Sequence, residues 1–498
     1  MTSYILSIDQ GTTSCRAIVF NLAGSILGIG QKEFTQYFPH SGWVEHDANE
    51  ILEKQIECIK EAIKAADIDA SKITYVGLTN QRETTVVWDK TNGKPICPAI
   101  VWQCRRTADI VEKLSKRNTK SGANFADVIR EKTGLIADAY FSGTKIQWIL
   151  ENVSGARQLA DANKLAFGTI DSWLIYKLTE EVRHVTEASN ASRTMLFDIN
   201  KLDWDDELLG AMHVPRAMMP EVLDSDSLFG HTNKKLLGFR APLLAVLGDQ
   251  QAALFGQSCI ESGMFKCTYG TGSFLLGNIG TDKKTVNGLL TTIAWKLKGK
   301  QAIYALEGAS FMGGAVMQWL RDGLGLIESN AESEELAKSL TSNGGVYLVP
   351  GHVGLGSPWW NPHIRGTIFG LSRESNRASI VRAGLESIAY QIKDIGYEMD
   401  LAKVKMNELR VDGGASTNDW LMQFQADLLG VSVRRNEQTE ATAWGVGLLA
   451  AKNANLLSVA DLKNDLKKSE LFSPDKDRRA DYERWRQAVK AALTFAAG

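Results

Sequence analysis

The chain has 498 residues, more than one hydrophobic core supports, so at least two domains are expected. With 44% hydrophobic and 23% charged residues it has the composition of a folded globular protein, which excludes wholesale disorder. Its 56 basic and 58 acidic side chains leave a net charge of −2 with no basic block, so the footprint of a nucleic-acid binder is missing and a small-molecule partner is favoured.

Along the chain, Tyr4 to Ile8 is a short apolar, β-rich run that meets Asp9 at once, too short for a signal-peptide core. No stretch reaches the roughly 18 apolar residues of a membrane span, the longest running from about Ala441 to Ala451, and a cytoplasmic protein is expected. Residues Gln10 to Ser14 form a turn of small hydroxylated residues with a glycine at its tip, and Ala17 to Phe20 returns as the second strand of a hairpin. Further strands are expected at Tyr75 to Leu78, Thr84 to Trp88 and Ile100 to Trp102. The spacing of Ile146, Ile149 and Val153, and of Tyr482, Trp485, Val489 and Leu493, predicts helices whose apolar stripes are core faces. Six dispersed cysteines without a Cys-x-x-Cys pair read as reduced core residues, and the seven histidines show no zinc-ligand spacing.

Near residue 263 the pattern starts afresh. Gly263 to Thr268 enters the turn Tyr269 to Ser273 and leaves through the apolar run Phe274 to Leu276, repeating the N-terminal hairpin. Leu409 to Val411 then runs into Asp412, Gly413 and Gly414, with a helix from about Asn418 to Leu429. Strand, glycine turn and helix start make a geometry in which backbone amides converge on a phosphate, although a tight turn without a ligand has the same local signature.

The motifs DQGTTSCR (Asp9 to Arg16), NQRETT (Asn80 to Thr85), WQCRRT (Trp102 to Thr107), YFSGTK (Tyr140 to Lys145), GDQQAALFGQ (Gly248 to Gln257), YGTGS and DGGAS follow one another in this order. Their combination resembles the glycerol kinases, members of the FGGY sugar-kinase family within the actin-like superfamily, over nearly the whole chain. The resemblance implies an α/β protein of two actin-like (RNase H-like) domains with an ATP cleft between them, residues 1–253 binding the polyol and 254–498 the nucleotide. Its implied activity is ATP- and Mg²⁺-dependent phosphorylation of glycerol to sn-glycerol 3-phosphate, by a cytoplasmic dimer or tetramer without nucleic-acid or membrane partners.

Phosphoryl transfer needs positioning, charge neutralisation and a group to accept the alcohol's proton. By resemblance Asp9 serves the Mg²⁺, while Thr12, Thr13, Ser14 and Arg16 hold phosphates. Arg82 and Glu83, joined by Tyr140, Asp249 and Gln250, bind the polyol hydroxyls, and Trp102 and Phe274 lie against its carbon backbone. Arg82 and Glu83 could equally form a mutual salt bridge; a planar donor beside an acceptor suits vicinal hydroxyls, each of which donates and accepts. Asp249 follows the apolar run Leu243 to Leu247 and is read both as helix N-cap and as general base, orienting the hydroxyl more than deprotonating it early. Thr271, Gly314, Gln318, Gly414 and Asn418 are the implied nucleotide contacts, and closure of the cleft would exclude water.

Two departures from the family stand out. Ser379 and Gly384, within the tract Gly366 to Glu386, are expected to weaken their helix, and Ala137 and Ala139, where relatives often have proline, to loosen Tyr140. Two other readings compete: a ketopentose kinase of the same family, which a polyol and sugar panel separates, and a non-catalytic actin-like ATP-binding protein, which has no use for Asp249, Arg82 and Glu83 together.

Overall fold

The computed structural model describes residues 3–119, 122–436, 440–456 and 469–497. The chain forms two units, one of Met1–Ser258, Thr292–Tyr304 and Glu440–Asn464, the other of Cys259–Thr291, Ala305–Thr439 and Asp465–Gly498. The division is thus more interleaved than a single cut at 253/254, because two later segments return to the first unit.

The first unit is built on a six-stranded sheet in the order Gly230–His231, Pro242–Gly248, Ile73–Asn80, Tyr4–Gln10, Ser14–Asn21, Ile26–Glu33. The expected hairpin is present, with Asp9 paired to Arg16, and Ile73–Asn80 runs parallel beside it. The amphipathic helix Ala48–Ala65, capped by Asp47, buries Ile51, Ile59 and Ile63 in the core with Leu6, Ile8 and Val19. The apolar run at 441–451 is the helix Ala441–Asn453, buried along most of its length. It packs on the helix Asp249–Gly256 at very close range. A Cβ on Gly256 would come within 1.9 Å of the Ala441 carbonyl oxygen, and one on Gly445 within 1.9 Å of that of Ala252, so only glycine fits at either position.

The second unit repeats the scheme. Its part of a seven-stranded sheet runs Ala302–Ser310, Ser273–Gly280, Met264–Tyr269, Glu408–Asp412, Ser432–Asn436, Ser469–Phe472, again an antiparallel hairpin with a parallel strand beside it. The long helix Arg377–Leu401 does not suffer from its unusual residues. Ser379 completes a capping box with Asn376, and Gly384 leaves room for the side chains of Leu320 and Met317. The C-terminal helix Arg479–Ala497 buries Tyr482, Trp485 and Val489, the stripe read as a core face. All six cysteines are free thiols, and among the described residues no helix is long and apolar enough to cross a membrane.

Candidate active site

In the first unit the motifs converge at the carboxyl ends of the parallel strands, where an open α/β sheet places its ligands. Ile73–Asn80 ends in Gln81, Arg82 and Glu83, and Pro242–Gly248 ends at Asp249. The strand expected over Thr84 to Trp88 begins only at Val86, because the preceding residues turn out of the sheet. Thr84 N donates to the Arg82 carbonyl at 2.7 Å, and Glu83 between them adopts φ +60°. A left-handed conformation at a non-glycine residue costs about 1–3 kcal/mol and persists where its surroundings enforce it. Here they do: Glu83 is 1% exposed, its carbonyl accepts from Ser142 Oγ at 2.9 Å, and its Oε1 lies 2.6 Å from Arg193 Nε.

Arg82 and Glu83 are only 3.9 Å apart and each has a closer partner, so the mutual salt bridge is a secondary contact. Arg82 Nε lies 3.2 Å from Asp249 Oδ1, and its Nη1 donates to Gln251 Oε1 at 3.2 Å. The stem of Arg82 crosses Gly248 so closely that a Cβ there would meet its Cγ and Cδ at 2.8 Å. Asp249 is not the helix N-cap. Gly248 holds that position in extended backbone, and Asp249 is the first helical residue, its carboxylate drawn to Arg82 and accepting from Gln250 N at 2.7 Å. Gln250 is half-buried beside it.

Trp102 Nε1 donates to Thr12 Oγ1 at 2.9 Å, tying the glycine turn to an aromatic wall that Tyr140 extends edge-on at 5.4 Å. The alanines flanking Asp138 do not loosen Tyr140. Its N–H donates to Asp138 Oδ1 at 2.8 Å, its carbonyl accepts from Lys145 Nζ, and Arg105 pairs with Asp138. Burial lowers the Lys145 ammonium to about 7.

Asp9, 8% exposed, sits where the glycine turn begins, and Gly11 N closes that turn on the Ser14 carbonyl at 2.9 Å. Burial pushes the Asp9 carboxyl up to about 7; Arg16 opposes the rise, while Asp249 and Glu440 add to it. Arg16 Nη2 pairs with Glu440 Oε1 at 2.6 Å. A buried carboxylate with two acidic neighbours suits a hard divalent cation, so the residues fit Mg²⁺. Among the described residues no group of three or more His, Cys, Asp or Glu could hold a metal alone, and such an ion would complete its shell with water and phosphate oxygens.

Three glycine turns meet in the second unit. Gly314 N donates to the Gly270 carbonyl at 2.8 Å, Gly313 N to that of Thr271 at 2.8 Å, and a Cβ on Gly314 would lie 4.0 Å from that of Ala415. Thr271 is exposed at the tip of its turn, and a Cβ on Gly414 would meet nothing, which leaves the DGGAS turn open to a ligand. Asn418 is the N-cap of the helix Asp419–Leu429, accepting from Leu421 N at 2.9 Å, so that helix starts one residue later than expected. Gln318 is exposed at the end of the short helix Ala315–Gln318. Phe274 stands half-buried on Ser273–Gly280 in this unit, not among the first unit's residues. Gly413 has φ +90°, and a Cβ there would lie 2.6 Å from the Tyr269 carbonyl oxygen. Gly413→Ala is therefore expected to displace the turn, destabilising the protein by about 1–3 kcal/mol. A variant with an unchanged melting temperature would contradict this.

Residues 4–256 match the N-terminal domain of the FGGY family of carbohydrate kinases, and residues 265–454 match its C-terminal domain. The chain belongs to the FGGY family of carbohydrate kinases. It is 51% identical to a glycerol kinase of Thermococcus onnurineus (100% of this chain, 99% of the relative) and 51% to glycerol kinase 2 of Thermotoga maritima (98% and 99%). A crystal structure of Plasmodium falciparum glycerol kinase with ADP superposes with a TM-score of 0.94 at 32% identity, covering 99% of this chain and 98% of that one.

Within this FGGY kinase, sequence reading missed Arg193, Gln251 and Glu440, which clamp Glu83, Arg82 and Arg16 respectively. Only Gln251 lies inside a recognised motif, and nothing local marks the other two.

Proposed function

We propose that the protein transfers the γ-phosphoryl group of ATP to glycerol, giving sn-glycerol 3-phosphate by in-line displacement. The observation that carries this reading is the array of buried Glu83 and Arg82 with the half-buried Asp249, near Trp102 and Tyr140, in a chain 51% identical along its length to glycerol kinases. Glycerol's vicinal hydroxyls require donors and acceptors at fixed spacing and its carbons an apolar wall; the guanidinium, the carboxylates and the indole supply both. Asp249 orients the attacking hydroxyl and accepts its proton. By family likeness the nucleotide contacts are the backbone amides and hydroxyls of Gly11 to Ser14 with Arg16 in the first unit, and the turns at Thr271, Gly314 and Gly414 with Gln318 and Asn418 in the second, where Phe274 is read as a further polyol contact. Asp9 would hold Mg²⁺, directly or through water, and the ion would supply neutralisation of phosphate charge. By family likeness we place the enzyme in the cytoplasm as a dimer or tetramer, which light scattering reads.

A coupled ADP-release assay should find glycerol-dependent turnover that requires Mg²⁺ and is much slower with four- and five-carbon polyols, since a site built around hydroxyl partners rejects ligands that leave those partners unpaired. Faster turnover of a ketopentose than of glycerol would refute the substrate assignment. Arg82→Ala should weaken glycerol binding by about 1.5–3 kcal/mol, the range for a hydrogen bond to a charged group. Its ATP affinity should barely move; calorimetric titration showing the reverse would put Arg82 at the nucleotide.

A further inference from the structure

We propose that Arg193 is a positioning residue for the polyol, acting through Glu83; the inference rests on the glycerol-kinase reading of that site. The Arg193 side chain is fully buried, so it cannot itself touch a ligand from solvent. Its Nε lies 2.6 Å from Glu83 Oε1, and its guanidinium carbon stands 5.6 Å from the Tyr140 ring centroid and 5.3 Å from that of Phe141. One buried cation thus touches two of the groups read as polyol contacts. It fixes the rotation of a carboxylate whose backbone is already in a left-handed conformation, and it packs against the aromatic wall beside it.

The element that carries Arg193 is braced to the same strand end that delivers Glu83. Arg193 follows the short helix Ala188–Ala191, and its N–H donates to the Asn190 carbonyl at 3.0 Å. The Asn190 and Asn80 side-chain amides exchange two hydrogen bonds at 3.0 and 3.1 Å, and Asn80 ends the strand that leads into Gln81–Glu83. Glu187 caps the helix by accepting from Ser189 N and Asn190 N, both at 2.7 Å. A carboxylate whose rotation is fixed by a braced guanidinium presents its acceptor lone pairs in a set direction, which is what discrimination among polyols requires.

A purely structural ion pair would disturb both substrates, whereas a positioning residue disturbs one. The test is steady-state kinetics of Arg193→Gln, Arg193→Lys, Glu83→Gln and the Arg193→Gln/Glu83→Gln double variant. Arg193→Gln is expected to raise KM for glycerol by about tenfold or more while KM for ATP stays within about twofold. In the Glu83→Gln background the second substitution should add less than about twofold, because its route to the substrate through Glu83 is already cut. If Arg193→Gln does not fold, Arg193→Lys carries the test: KM for glycerol raised by about threefold or more at unchanged KM for ATP supports positioning. Equal rises in both KM values, full multiplication of effects in the double variant, or a wild-type glycerol KM in Arg193→Lys would overturn it. A wild-type protein that does not turn over glycerol would instead overturn the reading of the site.

Discussion

Asp249→Asn is expected to lower single-turnover phosphoryl transfer by about 10²–10⁴, the usual loss when a positioned general base is removed. The side chain is well placed for that role: it is 30% exposed, heads the helix Asp249–Gly256, and is oriented by Arg82 Nε at 3.2 Å. Asparagine preserves the shape and can still accept a hydrogen bond from Arg82, so both substrates should bind. It cannot take the proton of the attacking hydroxyl. The change also has a structural cost that a mere capping role would not carry, because Gly248 is the cap and Asp249 is the counter-ion of a buried arginine. Weakening that pair and removing a negative charge from the first helical turn should lower stability by about 1–2 kcal/mol. Thermal melts and rapid-quench transfer on one preparation separate the two effects. Near-normal transfer in a variant that merely melts earlier would place the base elsewhere.

The parts of this site that were legible in the sequence are those written in consecutive residues. Strand, glycine turn and strand at Asp9, and strand, glycine turn and helix at Asp412, are local solutions whose residues dictate their own backbone, and both hairpins and the parallel strands beside them are present. What stayed hidden is pairing across the fold. Arg193 is 110 residues from Glu83, and Gln251 is 169 residues from Arg82. No periodicity links such positions. The left-handed Glu83 was equally invisible, since glutamate has no preference for that conformation and the surrounding contacts impose it. The same limit explains the domain division: the apolar run at 441–451 reads as a buried element, but its burial against the helix that starts at Asp249 is decided by the reciprocal approach of Gly256 and Gly445.

Asp394→Ala is expected to cause the largest loss of stability in the second unit, roughly 3–5 kcal/mol. Asp394 is 2% exposed and accepts three hydrogen bonds, from Tyr482 Oη at 2.7 Å, Trp359 Nε1 at 3.0 Å and Trp485 Nε1 at 3.1 Å. It therefore ties the C-terminal helix and the tryptophan-bearing loop to the helix Arg377–Leu401. Alanine would leave two indole N–H groups and a phenol buried without an acceptor. Asparagine should behave oppositely, because its carbonyl can receive both indoles while its amide donates to Tyr482 Oη. Burial raises the Asp394 carboxyl from 3.8 to about 6, and the three donors pull against that rise. A raised carboxyl binds its proton more tightly in the folded than in the unfolded state. Its contribution to stability is therefore fully present below pH 3.8 and is lost as pH climbs through about 6, on the order of 3 kcal/mol in all. Between pH 4 and 7 the wild type should lose stability through this group, whereas Asp394→Asn should lack that part of the slope and match or exceed wild-type stability at pH 7.5. Urea melts followed by tryptophan fluorescence across this range decide the matter. An alanine variant as stable as the wild type, or an asparagine variant with the wild-type pH slope, would show that the buried carboxylate does not hold the helix in place.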